Sequence, residues 1–361
     1  MKPTDPPVHS NSSPAKNLRR HVARWLSRRW RADARAPSGP LPVAGIHRIL
    51  VCRATKTLGE TLLLTPLLHE LELRFPGAEV ELVSRCAAAT ELFARYPRLR
   101  RVHALPQHMF GAPLRVWRIL RWLRVQRFDL AIDPYLLSHS DRLLVMLARP
   151  QYSLGFDSER KHGHLTHPVA LPPTPQHAAQ LPVYLLRHAL GVAAAAEYPL
   201  LDLRLTAAER SAGADALTAL LAQAGSTRRA LGVYAHASGV KCFERMWWAD
   251  FLRVLQTRFP QHAIVEILPM FGRSLLGDNY PAFYASDLRQ LAGVLSQLDL
   301  FVSGDCGVMH LASASGARTA GIFVATDIAG WNVYGPGRLT LDARGCAATD
   351  VAEEVALRSG V

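Results

Sequence analysis

Hydrophobic residues in this chain fall into short apolar runs that alternate with stretches of helical period, and the alternation begins abruptly at Ile46. "HRILVC" reads as a buried strand, "RATKTLGE" as a loop, and "TLLLTPLLHELELRF" as a helix. Strand "AEVELVS", a helix through Phe93, strand "RVHAL", a long helix and strand "FDLAIDP" follow. "LPPTPQ" (Leu171 to Gln176) is punctuation, and a further helix runs to about Leu190. Around Tyr198 to Thr206 the chain crosses into a second unit of the same kind. It contains a helix near Ala207 to Ala224, strand "ALGVYAH", helix "MWWADFLRVLQTRF" and strand "AIVEIL". "SDLRQLAGVLSQLDLFVSG" then places Leu288, Leu291, Val294, Leu295 and Leu298 on one helical face ahead of a strand at Leu300 to Ser303. "GVMHLASASGARTAGIFV" supplies a small-residue helix and another strand. Such alternation predicts parallel, doubly wound α/β sheets. The expectation is two Rossmann-like domains, 46–200 and 201–361, facing a central cleft, behind an N-terminal extension over 1–45.

Composition changes that picture in two ways. With 361 residues and 49% hydrophobic content there is enough apolar material for two cores. No uninterrupted apolar run reaches the roughly 18–20 residues that a bilayer span needs. The net charge of +13 favours anionic partners without choosing among nucleic acid, acidic lipid and phosphorylated small molecules. Five scattered cysteines, with no C-x-x-C pair, read as reduced thiols. The extension is rich in Pro, Ser and Arg, but "LRRHVARWLSRRWR" sets Leu18, Val22, Trp25, Leu26 and Trp30 at helical spacing among six arginines. That stretch reads either as a helix lying on an anionic membrane face or as a solvated basic tail. "LRVWRILRWLRVQR" poses the same choice, with Arg115, Arg118, Arg121 and Arg124 beside Trp117 and Trp122, and an ordinary domain helix with a solvated basic face is the simpler reading.

Candidate chemistry centres on "VSGDCGVMH", Val302 to His310. An acid and a glycine stand where a strand ends and a helix begins, so the free N–H groups of a helix N-terminus face a crevice suited to phosphate. Other signatures are missing: there is no P-loop, no complete G-x-G-x-x-G and no G-x-S-x-G elbow. "KHGHLTHP" offers His162, His164 and His167 without a nearby acidic shell, and no metal site is expected. There is also no Asp-x-Asp to hold a cation on a nucleotide diphosphate, and no nucleic-acid recognition module.

In order, "ILVCRATKTLGETLLLTPLLHELELRFPGAEVELV", "FDLAIDPYLLSHSDRLLVMLARPQYSLGF", "YAHASGVKCFERMWWADFLRVL" and "LDLFVSGDCGVMHLASASGARTAGIFVATD" resemble glycosyltransferase family 9, the heptosyltransferases of lipopolysaccharide core assembly. The resemblance runs from Ile46 to about Gly335 and pairs a Leu-Gly-acid opening loop with an Asp-x-Gly-x-x-His element. It implies a GT-B fold and inverting, metal-independent transfer from a nucleotide-sugar, usually ADP-heptose. The implied acceptor is an anionic glycolipid at the cytoplasmic face of the inner membrane. A cytoplasmic monomer with peripheral membrane contact and no cofactor is the accompanying expectation. Glu60 falls where the family places its catalytic acid, normally Asp. Asp305, Cys306, Gly307 and Val308 match the segment whose amides hold the donor diphosphate, with His310 close by; Cys306 stands for the usual Ser or Thr. Ser238 and Gly239 match the first phosphate-facing loop. Glu244 occupies the family's Lys position, so Lys241 or Arg245 would neutralise the leaving phosphate, with Arg245 slightly favoured. Met270, in "LPMFG", and Ser286 would border the nucleoside, and Thr326 with Asp327 matches a Thr-Asp pair at the cleft edge. The alternative is a paralogue that binds nucleotide-sugar or glycolipid without transfer.

Overall fold

The computed structural model describes residues 39–361, apart from 109–110, 137, 159–160, 162–163, 175, 193–196 and 336. The basic stretch around Leu18 to Arg31 and His162 therefore lie outside the described residues. The first unit runs β1 (Arg48–Arg53), α1 (Leu58–Leu62), α2 (Thr65–Arg74), β2 (Glu79–Ser84), α3 (Ala89–Leu92), β3 (Leu99–Ala104) and α4 (Pro113–Val125). It continues with β4 (Leu130–Asp133), α5 (His139–Ala148), β5 (Tyr152–Phe156), β6 (His167–Val169) and α6 (Leu181–Ala189). The second comprises α7 (Ala207–Gln223), β7 (Arg229–Tyr234), α8 (Arg245–Arg258), β8 (His262–Ile267), β9 (Ala282–Phe283) and α9 (Leu288–Leu295). It ends with β10 (Leu300–Gly304), α10 (Gly307–Ala314), β11 (Thr319–Phe323), α11 (Ile328–Trp331), β12 (Leu339–Asp342) and α12 (Ala348–Arg358).

Each unit forms a six-stranded sheet, ordered β3-β2-β1-β4-β5-β6 and β12-β11-β10-β7-β8-β9. Every strand pair is parallel, as β1 with β4 and β7 with β10. In both sheets the first strand lies beside the fourth, so the strand order reverses there and opens a crevice beyond the carboxyl ends. The central strands are buried along nearly their whole length, Leu300–Gly304 completely. That is why they read as continuous apolar runs. Against them α8 buries Trp248, Phe251, Leu252 and Leu255, each worth roughly 1.5–3 kcal/mol of transfer free energy.

Two local features differ from the sequence reading. The expected single helix over 61–75 is two helices, with Glu60 already inside the first turn of α1. Pro66 has no N–H to give to the Leu62 carbonyl, and Thr65 Oγ1 takes that carbonyl at 2.8 Å instead. Four strands also go beyond those read from the sequence: β5, and the short edge strands β6, β9 and β12.

The units are tied together by buried polar contacts. Glu91 Oε1, from α3, accepts the backbone N–H groups of Leu288 and Arg289 at the start of α9. The Arg289 guanidinium donates to the carbonyls of Leu92 and Leu203 at 3.2 and 3.1 Å and to Glu209 at 2.7 Å.

Candidate functional site

Site residues of both domains stand at the carboxyl ends of the inner strands. After β10, Asp305 is buried, and its Oδ2 accepts Lys241 Nζ at 2.5 Å and the Thr326 hydroxyl. One carboxylate thus gathers the ends of three crossings: β10, the turn after β7 and the loop after β11. Cys306 is the extended N-cap of α10, with its Sγ 3.9 Å from Ser303 Oγ. Burial pushes its thiol up to about 11, while the amides of Met309 and Val308 act the other way. At neutral pH it is a neutral thiol. Ser238 and Gly239 occupy an exposed turn, with Gly239 at φ +59° in the left-handed region.

The first domain meets this group directly. Leu58 and Gly59 of α1 lie on Gly307 and His310 of α10 so closely that a Cβ at either glycine would clash. His310 is buried, its Nδ1 has no hydrogen-bond partner, and burial together with nearby His177 holds it down at about 4. His177 Nδ1 accepts the Ala179 N–H at 3.1 Å, and Nε2 donates to the Asn332 carbonyl at 2.9 Å, a pairing that requires the neutral ring. Burial keeps it neutral, also at about 4.

Glu60 is next on α1. Arg53 Nη2 donates to its Oε2 at 2.6 Å, and with Arg53, Tyr135, Pro134 and Pro182 it lines a pocket to which Trp331 of the second domain also contributes. Its side chain is 27% exposed, enough to meet a ligand. Trp331 stands at the end of α11, five residues after Thr326. Arg53 also stacks over Tyr135, with its guanidinium carbon 3.8 Å from the ring centroid, and Asp141 Oδ2 lies 3.4 Å behind it.

Not every expected residue joins this assembly. Arg245 covers Gly277, leaving no room for a side chain there, whereas Lys241 reaches Asp305. Of the two cations expected near the phosphate, it is Lys241 whose amine lies at the strand ends. Met270 is 88% exposed on the loop after β8, and Ser286 is exposed just before α9.

Residues 285–355, which contain α9, β10, α10 and β11, match glycosyltransferase family 9 (heptosyltransferase). That match lies wholly within the second unit. No curated protein matches the sequence. Among solved structures, a family 9 glycosyl transferase from Veillonella parvula superposes with a TM-score of 0.72 at 14% identity, covering 89% of this chain and 98% of the other. E. coli heptosyltransferase WaaC with ADP gives 0.65 at 19% identity over 85% and 97% of the two chains. E. coli ADP-heptose lps heptosyltransferase II gives 0.61 at 16% identity over 86% and 97%. At these identities the likeness carries the fold, which is GT-B.

In the first unit, a charged group behind Glu60 has no motif signature in the sequence reading. Asp133, fully buried at the end of β4, accepts Lys161 Nζ at 2.8 Å and Arg142 Nε at 2.9 Å. Asp141, fully buried on α5, accepts the Ala54 N–H at 2.7 Å; burial raises it to about 6, against the pull of Arg53. One signal was available: an acid ending the apolar run "LAID". In "KHGH" it is the buried lysine, Lys161, that forms the ion pair. Among the described residues no group of three His, Cys, Asp or Glu side chains could hold a metal.

Proposed function

We propose that this family 9 glycosyltransferase moves heptose or a related sugar, in inverting fashion and without a metal, from a nucleotide-sugar to a glycolipid. The donor is inferred to be ADP-heptose, in line with the E. coli relatives, whose structures are described with ADP and with ADP-2-deoxy-2-fluoro heptose. Glu60 takes the proton from an acceptor hydroxyl as that oxygen attacks the anomeric carbon. The bond to the diphosphate breaks on the opposite face, and the departing charge meets the free amides at the start of α10 and the Lys241 ammonium. Ser238 and Gly239 border the same phosphates, with His310 behind them. Met270 and Ser286 frame the nucleoside. The acceptor is an anionic saccharide on a lipid anchor, reached from the cytoplasmic face of the inner membrane by a monomer.

The observation that carries this reading is the junction of α1 and α10. There Leu58 and Gly59, next to Glu60, pack on Gly307 and His310 of the other domain, Glu60 lines a pocket with that domain's Trp331, and Lys241 reaches Asp305 just ahead of α10. The test is a panel of ADP-, UDP- and GDP-sugars read by thermal stabilisation, followed by nucleotide release with a lipopolysaccharide-core acceptor. Release that disappears in Glu60→Ala, with donor stabilisation retained, supports transfer. Donor binding without release in the parent chain supports the binding paralogue instead.

A further inference from the structure

We propose that helix α4 is a docking surface for an anionic lipid bilayer. Leu114, Trp117 and Val125 are 71%, 55% and 65% exposed. At about 100° per residue these three, with Arg118 and Arg121, fall within an arc of about 100° on one side of the helix. The opposite side is the one that packs: Leu123 is completely buried, and Ile119 and Leu120 are partly buried against the same core. Trp122, at the border, stacks on His103 with ring centroids 3.7 Å apart.

A merely solvated basic face has no use for a leucine, a tryptophan and a valine among its arginines. A helix lying in the headgroup region uses both kinds, inserting apolar side chains to the acyl boundary while guanidinium groups meet phosphates. The charge is one-sided. From Ala104 to Phe128 the chain has no Asp or Glu, and Arg115, Arg118, Arg121, Arg124 and Arg127 are all exposed. Arg121 sits 5.3 Å from the Trp117 ring centroid, which keeps the indole and a cation together at the surface.

Topology gives the surface a purpose. Helix α4 carries the chain from β3 back to β4 in a parallel sheet, so its first turn starts at the carboxyl edge of the strands. Leu114 and Trp117 thus stand on the edge from which Glu60 and Tyr135 face the pocket. Docking there would hold the mouth of the first domain at the lipid surface. The lipid-borne acceptor of the proposed function needs such a position, but the inference stands on the helix itself.

Saccharide-free vesicles therefore test it separately from transfer. The full chain is sedimented with vesicles of phosphatidylethanolamine and phosphatidylglycerol, and with phosphatidylcholine alone. Two exposed-site variants accompany it, Leu114→Gln/Trp117→Gln and Arg118→Gln/Arg121→Gln, with thermal melting as the check on folding. The parent chain is expected on the anionic vesicles and not on the neutral ones. The arginine pair should lower partitioning by about 25-fold, roughly fivefold for each charge, and the apolar pair should also lower it severalfold. The idea is overturned if the parent stays in the supernatant, if it binds both lipids equally, or if both variants sediment like the parent. Duplex DNA that displaces the chain from vesicles, and whose own binding is weakened by the same substitutions, would overturn it too. Nucleotide release with a soluble core fragment would still report on the transferase reading after any of these failures.

Discussion

Arg53 bridges two carboxylates of different standing: its Nη2 is 2.6 Å from Glu60 Oε2 at the pocket wall, and its Nη1 is 3.4 Å from Asp141 in the interior. The orientation of Glu60 is therefore set from behind, by a buried group. Arg53→Met should lower kcat by about 100-fold through misplacement of the base. It should also destabilise the fold, because Asp141 loses its adjacent cation, by roughly 1–3 kcal/mol. Steady-state rates and urea unfolding measure the two effects. Unchanged kcat would mean Arg53 does not position Glu60.

The two cations near the donor side separate cleanly. Lys241→Ala should weaken donor stabilisation and lower kcat/KM, because the amine sits on Asp305 beside the start of α10. Arg245→Ala should leave both within about twofold of the parent, since that side chain lies over Gly277. Donor titrations by melting temperature compare them, and a larger loss in the arginine variant would reverse the assignment.

Acid sensitivity should trace to the buried histidines. His177 and His310 are held at about 4, below the ordinary value near 6.5. The unfolded chain binds protons there first, so the stability these groups confer is complete above pH 6.5 and is lost as pH falls towards 4. Asp141, raised to about 6, works in the opposite direction over the lower part of that window. Comparing His177→Gln with the parent isolates one histidine: its unfolding free energy should depend less steeply on pH between 6.5 and 4. Parallel curves would show that His177 does not contribute.

Lys161→Met tests the buried pair under the pocket. The change removes one of two cations on fully buried Asp133, leaving Arg142 in place. A loss of roughly 3 kcal/mol, at the lower end for a broken buried ion pair, is expected in urea unfolding. A neutral result would mean that Arg142 alone satisfies the acid.

Gly213 and Gly293 bring helices α7 and α9 into backbone contact: a Cβ on Gly213 would lie 2.2 Å from the Gly293 carbonyl. Ala is the better helix former by about 1 kcal/mol, yet Gly213→Ala should destabilise by about 1–3 kcal/mol because the helices must separate. A rise in melting temperature would contradict that packing.

The chain's own order of residues was enough for the two parallel sheets, because buried central strands such as Leu300–Gly304 must be continuously apolar and their crossover helices amphipathic. It was also enough for the strand-to-helix turn at Asp305, where the acid, the glycine and the small residues after them are neighbours in sequence. What lay between distant segments was decided only by folding. Lys241, and not Arg245, was brought to Asp305 by one short turn, and Arg53, Asp141 and Lys161 were gathered from a strand, a helix and a loop. Side chains that meet across 28 to 88 residues leave no periodic trace, since periodicity records only which face of an element is buried and not what it is buried against.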